Sequence, residues 1–240
     1  MSPRTSISAS ASTSALASAV ASTSASALAS TSASILALAV ILAACGGKLP
    51  ETRYYQLAPP AEKHTGGDQL LVLESLTADA AYDDDRIVYR TTPFRLDYYQ
   101  YQRWSSSPGM MVGNYLEQAF ETSGKFRAVV REMTPDASAV LTGRVVAIEE
   151  VDRSKTDWVG RIVVELMLTD ARSGEALWTE QIEETEPLRQ QNPEGLAAAL
   201  SIAMSRIAAH TIPVIAELTS RQARAHADLP TATAVTRRKF

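Results

Sequence analysis

The chain has a single cysteine, Cys45, at the end of a short apolar run, Ile35-Leu-Ala-Leu-Ala-Val-Ile-Leu42, followed by Ala43-Ala44. A run this short cannot span a hydrocarbon core of ~30 Å, which needs about 20 apolar residues. An uncharged run ending in small residues fits the hydrophobic region of a secretory signal and its cleavage site. One cysteine excludes an internal disulfide and a cysteine-based zinc cage. The sequence therefore holds two objects, and what folds as a domain must lie after residue 44.

Upstream of the run, 26 of residues 5–34 are Ser, Ala or Thr, and Arg4 is the one charge before Lys48. Such a tract has neither the period nor the hydrophobicity of a core-forming segment, so it is left out of the fold. Two origins stay open for it: a translation start placed too far upstream, or an extended leader region.

The segment Leu42-Ala43-Ala44-Cys45 resembles the lipobox of bacterial lipoproteins. The resemblance implies that the Cys45 thiol receives diacylglycerol and that cleavage leaves Cys45 as an N-acylated N-terminus. Two or more acyl chains give stable anchoring to a membrane. No other cofactor is expected. In Gram-negative lipoproteins an aspartate after the cysteine commonly signals inner-membrane retention. Gly46 stands there instead, which favours the outer membrane, facing the periplasm.

The 196 residues from Cys45 to Phe240 carry a formal charge of −5 and are enough for one domain. That acidic balance argues against nucleic acid, whose binding rests on clustered Lys and Arg. Residues 45–52 read as a lipidated tether, 53–219 as the domain, and 220–240 as a disordered tail. Arg53–Leu57 and Gln69–Leu76 are strand candidates; Asp83-Asp84-Asp85 marks a turn, and Arg86–Arg90 and Phe94–Trp104 follow as strands.

Ser107-Pro108 opens a helix with an apolar stripe at Val112, Tyr115, Leu116, Ala119 and Phe120, stopped by Gly124. After a strand at Phe126–Glu132, three longer strands, Ala139–Val151, Trp158–Asp170 and Glu175–Glu184, are predicted to form an antiparallel meander. Asn192-Pro193 opens a second helix, with Leu196, Leu200, Ala203, Met204, Ile207 and Thr211 on one face. Pro213 is expected to kink or end it, leaving a turn or two to about Leu218. The expected fold is α+β: a two-layer sandwich of a mostly antiparallel sheet with two amphipathic helices on one face.

Motifs of catalysis are missing: there is no HExxH, P-loop, dinucleotide fingerprint or G-x-S-x-G elbow. His64, His210 and His226 share no ligand spacing, and the Asp83–Asp85 run lacks the spaced ligands and glycine of a calcium loop. Glu149-Glu150 and Glu183-Glu184 lie in strands, where neighbours face opposite sides, so neither doublet makes a catalytic pair. The aromatic strand Tyr98-Tyr99-Gln100-Tyr101 with Trp104 admits two readings: packing beneath the helices, or a partner interface at Tyr99, Tyr101 and Trp104.

A lipobox cysteine followed by Arg53-Tyr-Tyr-Gln-Leu-Ala-Pro-Pro60, then Tyr98–Trp104, Ser107-Pro108, a helix ending in Gly124-Lys125-Phe126, and Leu177-Trp178 after Gly174, together resemble the ABC-type transport auxiliary lipoproteins, the PqiC-like family. The resemblance runs from about residue 45 to 218. It implies a non-enzymatic outer-membrane lipoprotein that serves an Mce-type ABC system moving lipids between the inner and outer membranes. Its implied partners are an Mce-domain protein and the membrane, with self-association open. The alternative is a structural lipoprotein supporting another envelope machine, for secretion or β-barrel assembly. A periplasmic hydrolase assembled from distant residues is a third class.

Overall fold

The structure, a computed structural model, describes residues 50–59 and 66–228; residues 1–49, Cys45 among them, with 60–65 and the tail 229–240, lie outside the described residues. The chain divides into Met1–Pro50 and Glu51–Phe240, and everything below concerns the second unit.

Its spine is β7, Ala139–Asp152, the longest strand. Along one edge of β7 run three short parallel strands laid end to end: β2 (Gln69–Leu73), β3 (Thr77–Ala78) and β4 (Arg86–Thr92). Along the other edge lies β8 (Trp158–Asp170), antiparallel over its whole length, followed by β9 (Ala176–Pro187). Beyond β4 the sheet continues to β5 (Arg95–Trp104) through a hairpin, and then to β1 (Arg53–Tyr55), parallel to β5. Beyond β2 it ends at β6 (Phe126–Val130). The sheet is mixed but largely antiparallel, because the meander β7-β8-β9 supplies its long pairings. Gly174, with φ of +74°, makes the left-handed turn between β8 and β9 that the sequence pattern predicts.

Two helices, α1 (Pro108–Thr122) and α2 (Pro193–Asp228), share one hydrophobic core with the sheet. The α1 stripe read from the sequence is buried as expected, and Gly124 turns the chain with φ of +68°. In α2 the Asn192 side chain accepts the Gly195 N–H at 2.7 Å, capping the first turn as predicted. All six residues assigned to its inner face are buried. Gly160 of β8 lies beneath them: a Cβ there would meet Leu200 Cγ at 3.2 Å and Leu196 Cδ1 at 3.3 Å. Helix and sheet thus approach at a position where no larger side chain has room.

The sequence reading ends α2 too early. The helix continues past Pro213 to Asp228, so residues 220–228 are helical and not part of a disordered tail. Proline removes one backbone hydrogen bond and costs about 3 kcal/mol in a helix interior. Packing beyond it compensates: Ile215 and Thr219 are fully buried, and the last turns dock on the β8–β9 corner. There Asp170 accepts the backbone N–H groups of Arg172 (2.8 Å) and Ser173 (2.5 Å), while His226 Nε2 donates to its Oδ2 at 2.6 Å and Gln222 binds the same oxygen. His226, expected in a loose tail, is instead the clasp of the helix end. The same packing accounts for a helix apolar and long enough to cross a bilayer by composition: its apolar stripe faces the sheet.

Burial pushes the Asp170 carboxyl up, but the Ser173 and Arg172 amides and His226 outweigh it and hold it well below the usual carboxylate range. With the folded pKa depressed, this contribution to stability is complete above about pH 4 and is lost as the pH falls further. Replacing His226 with Ala should speed amide exchange in residues 221–228 by about tenfold or more, the worth of a hydrogen bond to a charged group, with the sheet unchanged. Hydrogen exchange read by mass spectrometry checks this.

Candidate functional site

At the C-terminal end of β7 two adjacent carboxylates, Glu149 and Glu150, are both fully buried. Strand alternation sends them to opposite faces of the sheet, as the sequence predicts. Each has built a different environment.

Glu149 faces away from the helices. Its Oε2 accepts the Tyr82 hydroxyl at 2.6 Å and Arg90 Nη2 at 3.1 Å, and its Oε1 accepts Arg161 Nη1 at 2.9 Å. Arg161 reaches on to Glu183 through two bonds, of 2.7 and 3.1 Å. Three neighbouring segments thus meet on one carboxylate, Tyr82 from the β3–β4 connection, Arg90 from β4 and Arg161 from β8, and Arg161 links on to Glu183 of β9. Burial first, then the hydrogen bond and charge of Glu149, raise the Tyr82 hydroxyl to about 12. Arg161 is held charged well above its ordinary value, chiefly by Glu183 and Glu149 against the cost of burial.

Glu150 faces the helix side, opposite Gly160. Tyr99 of β5 donates its hydroxyl to Glu150 Oε1 at 2.8 Å and stacks on Tyr89 with ring centroids 5.0 Å apart. The second oxygen, Oε2, is buried without a partner among the described residues, as is Asp152 Oδ1. Burial raises Glu150 to about 7; the Tyr99 hydroxyl pulls it down and the charge of Asp152 pushes it up again. Asp152 is also raised, by burial. Burial and the Glu150 charge lift the Tyr99 hydroxyl far above its usual range.

A cleft of about 700 Å³ opens over the Glu149 side, lined by Arg90, Thr91, Thr92, Pro93, Asp152, Arg153 and Arg161. Glu149 itself is fully buried, and both of its oxygens hold charge-assisted bonds to the arginines that line the cleft. Among the described residues no group of three His, Cys, Asp or Glu is placed to hold a metal ion. His210 sits on the outer part of α2 and meets Glu180 at 3.0 Å, while Arg206 of α2 grips Glu184 and Glu186 of β9 at 2.7 and 2.8 Å. Glu183 and Glu184, like Glu149 and Glu150, go to opposite faces.

The proposed aromatic interface is redistributed. Trp104, 1% exposed, belongs to the core and not to a surface. It packs in the core shared by the helices and the sheet, the first of the two readings open for that strand, while its backbone N–H binds the Asp85 carbonyl at 2.6 Å. Tyr99 is half-buried and committed to Glu150, and Tyr101 is half-buried. Among the described residues the exposed aromatics are Phe94 at 97%, Tyr54 at 64% and, in the strand itself, Tyr98 at 36% beneath the Arg86 guanidinium. Phe94 lies next to Pro93 in the connection between two strands, and that position, a large apolar residue at a turn, was its signal in the sequence. Cys45 lies outside the described residues.

Replacing Glu149 with Ala leaves two guanidiniums facing an apolar floor. Breaking a buried pair costs about 3–5 kcal/mol, and because both arginines keep some access to water the loss should fall near the lower figure in urea unfolding. Glu150 behaves oppositely. Its folded pKa lies above its unfolded one, so stability is greatest below about pH 4.5 and falls as the pH rises to about 7. Glu150→Gln, which keeps an acceptor for Tyr99, should flatten that slope and raise the melting temperature at pH 8 by roughly 3 °C or more. Calorimetry of both chains from pH 4 to 8 measures it.

No curated protein matches the chain. A crystal structure of a protein from Xanthomonas campestris is similar over 72% of this chain and 99% of its own, at 20% identity and a TM-score of 0.64. A second, of an uncharacterized protein, is similar over 69% of this chain and 99% of its own, at 14% identity and a TM-score of 0.59. At these identities the likeness shows a shared fold. The family described as ABC-type transport auxiliary lipoprotein component matches residues 55–211, most of the domain from β1 to the middle of α2. The chain belongs to that family of ABC-transport auxiliary lipoproteins.

Proposed function

We propose that the protein is a non-enzymatic outer-membrane lipoprotein, anchored through acylated Cys45 and facing the periplasm, that serves an Mce-type ABC system carrying lipid between the two membranes. The observation that carries the reading is the combination of family membership over residues 55–211 with a lone cysteine in a lipobox just upstream. The anchor holds the domain at a membrane, and a domain held there can receive a partner that crosses the periplasm. The bonding of Glu149 supports a scaffold reading: both oxygens of the buried carboxylate tie neighbouring segments together. ATPase and permease would be separate chains.

Two measurements test this. Cys45→Ala should move the protein out of the membrane fraction while the domain keeps its fold by circular dichroism; an unchanged membrane fraction refutes the anchor. Gentle solubilisation of the native protein should recover an Mce-domain protein. Recovery of secretion or β-barrel assembly components in its place would support the alternative reading as a structural subunit of another machine.

A further inference from the structure

Glu150 and Asp152 are two residues apart on β7, so strand alternation sets both side chains on the helix side of the sheet. Glu150 is fully buried, and Asp152 is half-buried at the end of the strand. The two carboxyl groups lie within hydrogen-bond reach of each other. Tyr99 occupies one Glu150 oxygen, at 2.8 Å. Among the described residues the other oxygen, Oε2, and Asp152 Oδ1 are buried without a donor. Ionised carboxylates only accept hydrogen bonds, so two of them cannot bond each other. One proton placed between them turns one carboxyl into a donor to the other and removes a like-charge contact.

The charged groups around the pair are committed elsewhere or face solvent. On β4, Tyr89 stands beside Glu150; on β5, Asp97 stands beside Tyr89 and is bound by Arg95 at 2.7 Å. The opposing residues of β8 are Gly160 and Trp158, neither of them charged. Beyond Gly160, Glu186 of β9 is held by Arg206 of α2, and the α2 residues over Gly160 are Leu196 and Leu200. Arg90 and Arg161 lie across the sheet on Glu149, and Arg153, next after Asp152, is exposed. Asp152 also lines the cleft, which gives a proton held there a path to solvent.

We infer that Glu150 and Asp152 hold a single proton between them, and that this proton latches the C-terminal end of β7 and the β7–β8 connection. With the proton in place, the last pair, Asp152 with Trp158, stays closed. So does the turn behind it, where the Arg153 and Ser154 N–H groups bind the Asp157 carbonyl at 2.9 and 3.2 Å. Without the proton two charges share a buried site, and water must enter from the cleft to solvate them. Burial first, then the Asp152 charge against the pull of the Tyr99 hydroxyl, hold Glu150 up at about 7. With the folded pKa raised, the latch is complete below the ordinary carboxylate range and is released as the pH rises through about 7. It acts whether or not Cys45 is lipidated.

The native full-length protein in detergent micelles is titrated from pH 5 to 9 under infrared difference spectroscopy, which detects the C=O stretch of a protonated carboxyl. One carboxyl per chain should lose its proton near pH 7, and Glu150→Gln should delete that signal. Asp152→Asn, which replaces the partner carboxyl by an amide donor, should move the midpoint down by about one unit or more. Should that variant fail to fold by circular dichroism, Asp152→Ser supplies the same loss of charge. An unmoved midpoint means that burial alone protonates Glu150, and it overturns the shared proton. So does the absence of any protonated carboxyl at pH 6, in favour of a cation or water between two ionised groups, and so do two carboxyls titrating together. Hydrogen exchange read by mass spectrometry over residues 151–158, corrected for intrinsic rates, tests the latch. Opening should rise about tenfold from pH 6 to 8 in the native chain and stay flat in the Glu150 and Asp152 variants. No rise in the native chain, or an equal rise in the variants, overturns it.

Discussion

A single strand carries this domain because a strand has two edges of backbone donors and acceptors, and both edges of β7 are used along nearly its whole length. One edge takes β8 from end to end, with a single bulge between Val145 and Ala147. The other takes three short strands in succession, none long enough to be stable by itself. The loops between those short strands, and the hairpin that extends from the last, are positioned only because each piece is registered on the same backbone. The helices follow from the same constraint, since β7 and β8 together supply the apolar floor on which α2 lies, close enough at Gly160 that a side chain there would press on Leu196 and Leu200.

The far end of that strand carries its electrostatic cost. Backbone pairing forces Glu149 and Glu150 into burial, and alternation denies them each other's company. Glu149 is compensated by two arginines and a tyrosine drawn from three other segments, so the charge becomes a knot that joins strands. Glu150 has one hydroxyl and a second carboxylate for company, and it answers by shifting toward the protonated form. Residues with ordinary roles elsewhere become, at this end, either rigid or pH-sensitive according to which face they occupy. The β4–β5 hairpin at the same end carries the exposed Phe94.

Elements whose signal is local were legible. The stripe of α1 and the inner face of α2 have helical spacing, the meander strands alternate with period two, and Asn192, Gly124 and Gly174 sit where caps and left-handed turns require them. The split of Glu149 from Glu150 was equally legible, because it depends on nothing beyond strand geometry. What was missed depends on distant contacts. Pro213 was expected to kink or end the helix from its intrinsic cost, but Asp170, 43 residues away, holds the turns that follow through His226 and Gln222. Trp104 stood open between core packing and a partner surface, because the burial of a strand residue depends on which elements cover its face, and the structure places it in the core.

By itself the sequence determined the α+β character, the helix faces and the family pattern, since each rests on residues close together in the chain. Tertiary structure decided which charges meet, which aromatics are wet and how far α2 runs. Those properties depend on contacts between segments tens of residues apart, and on the parallel or antiparallel sense of strand pairs. Local chemistry constrains neither until the backbone of β7 has brought the segments together.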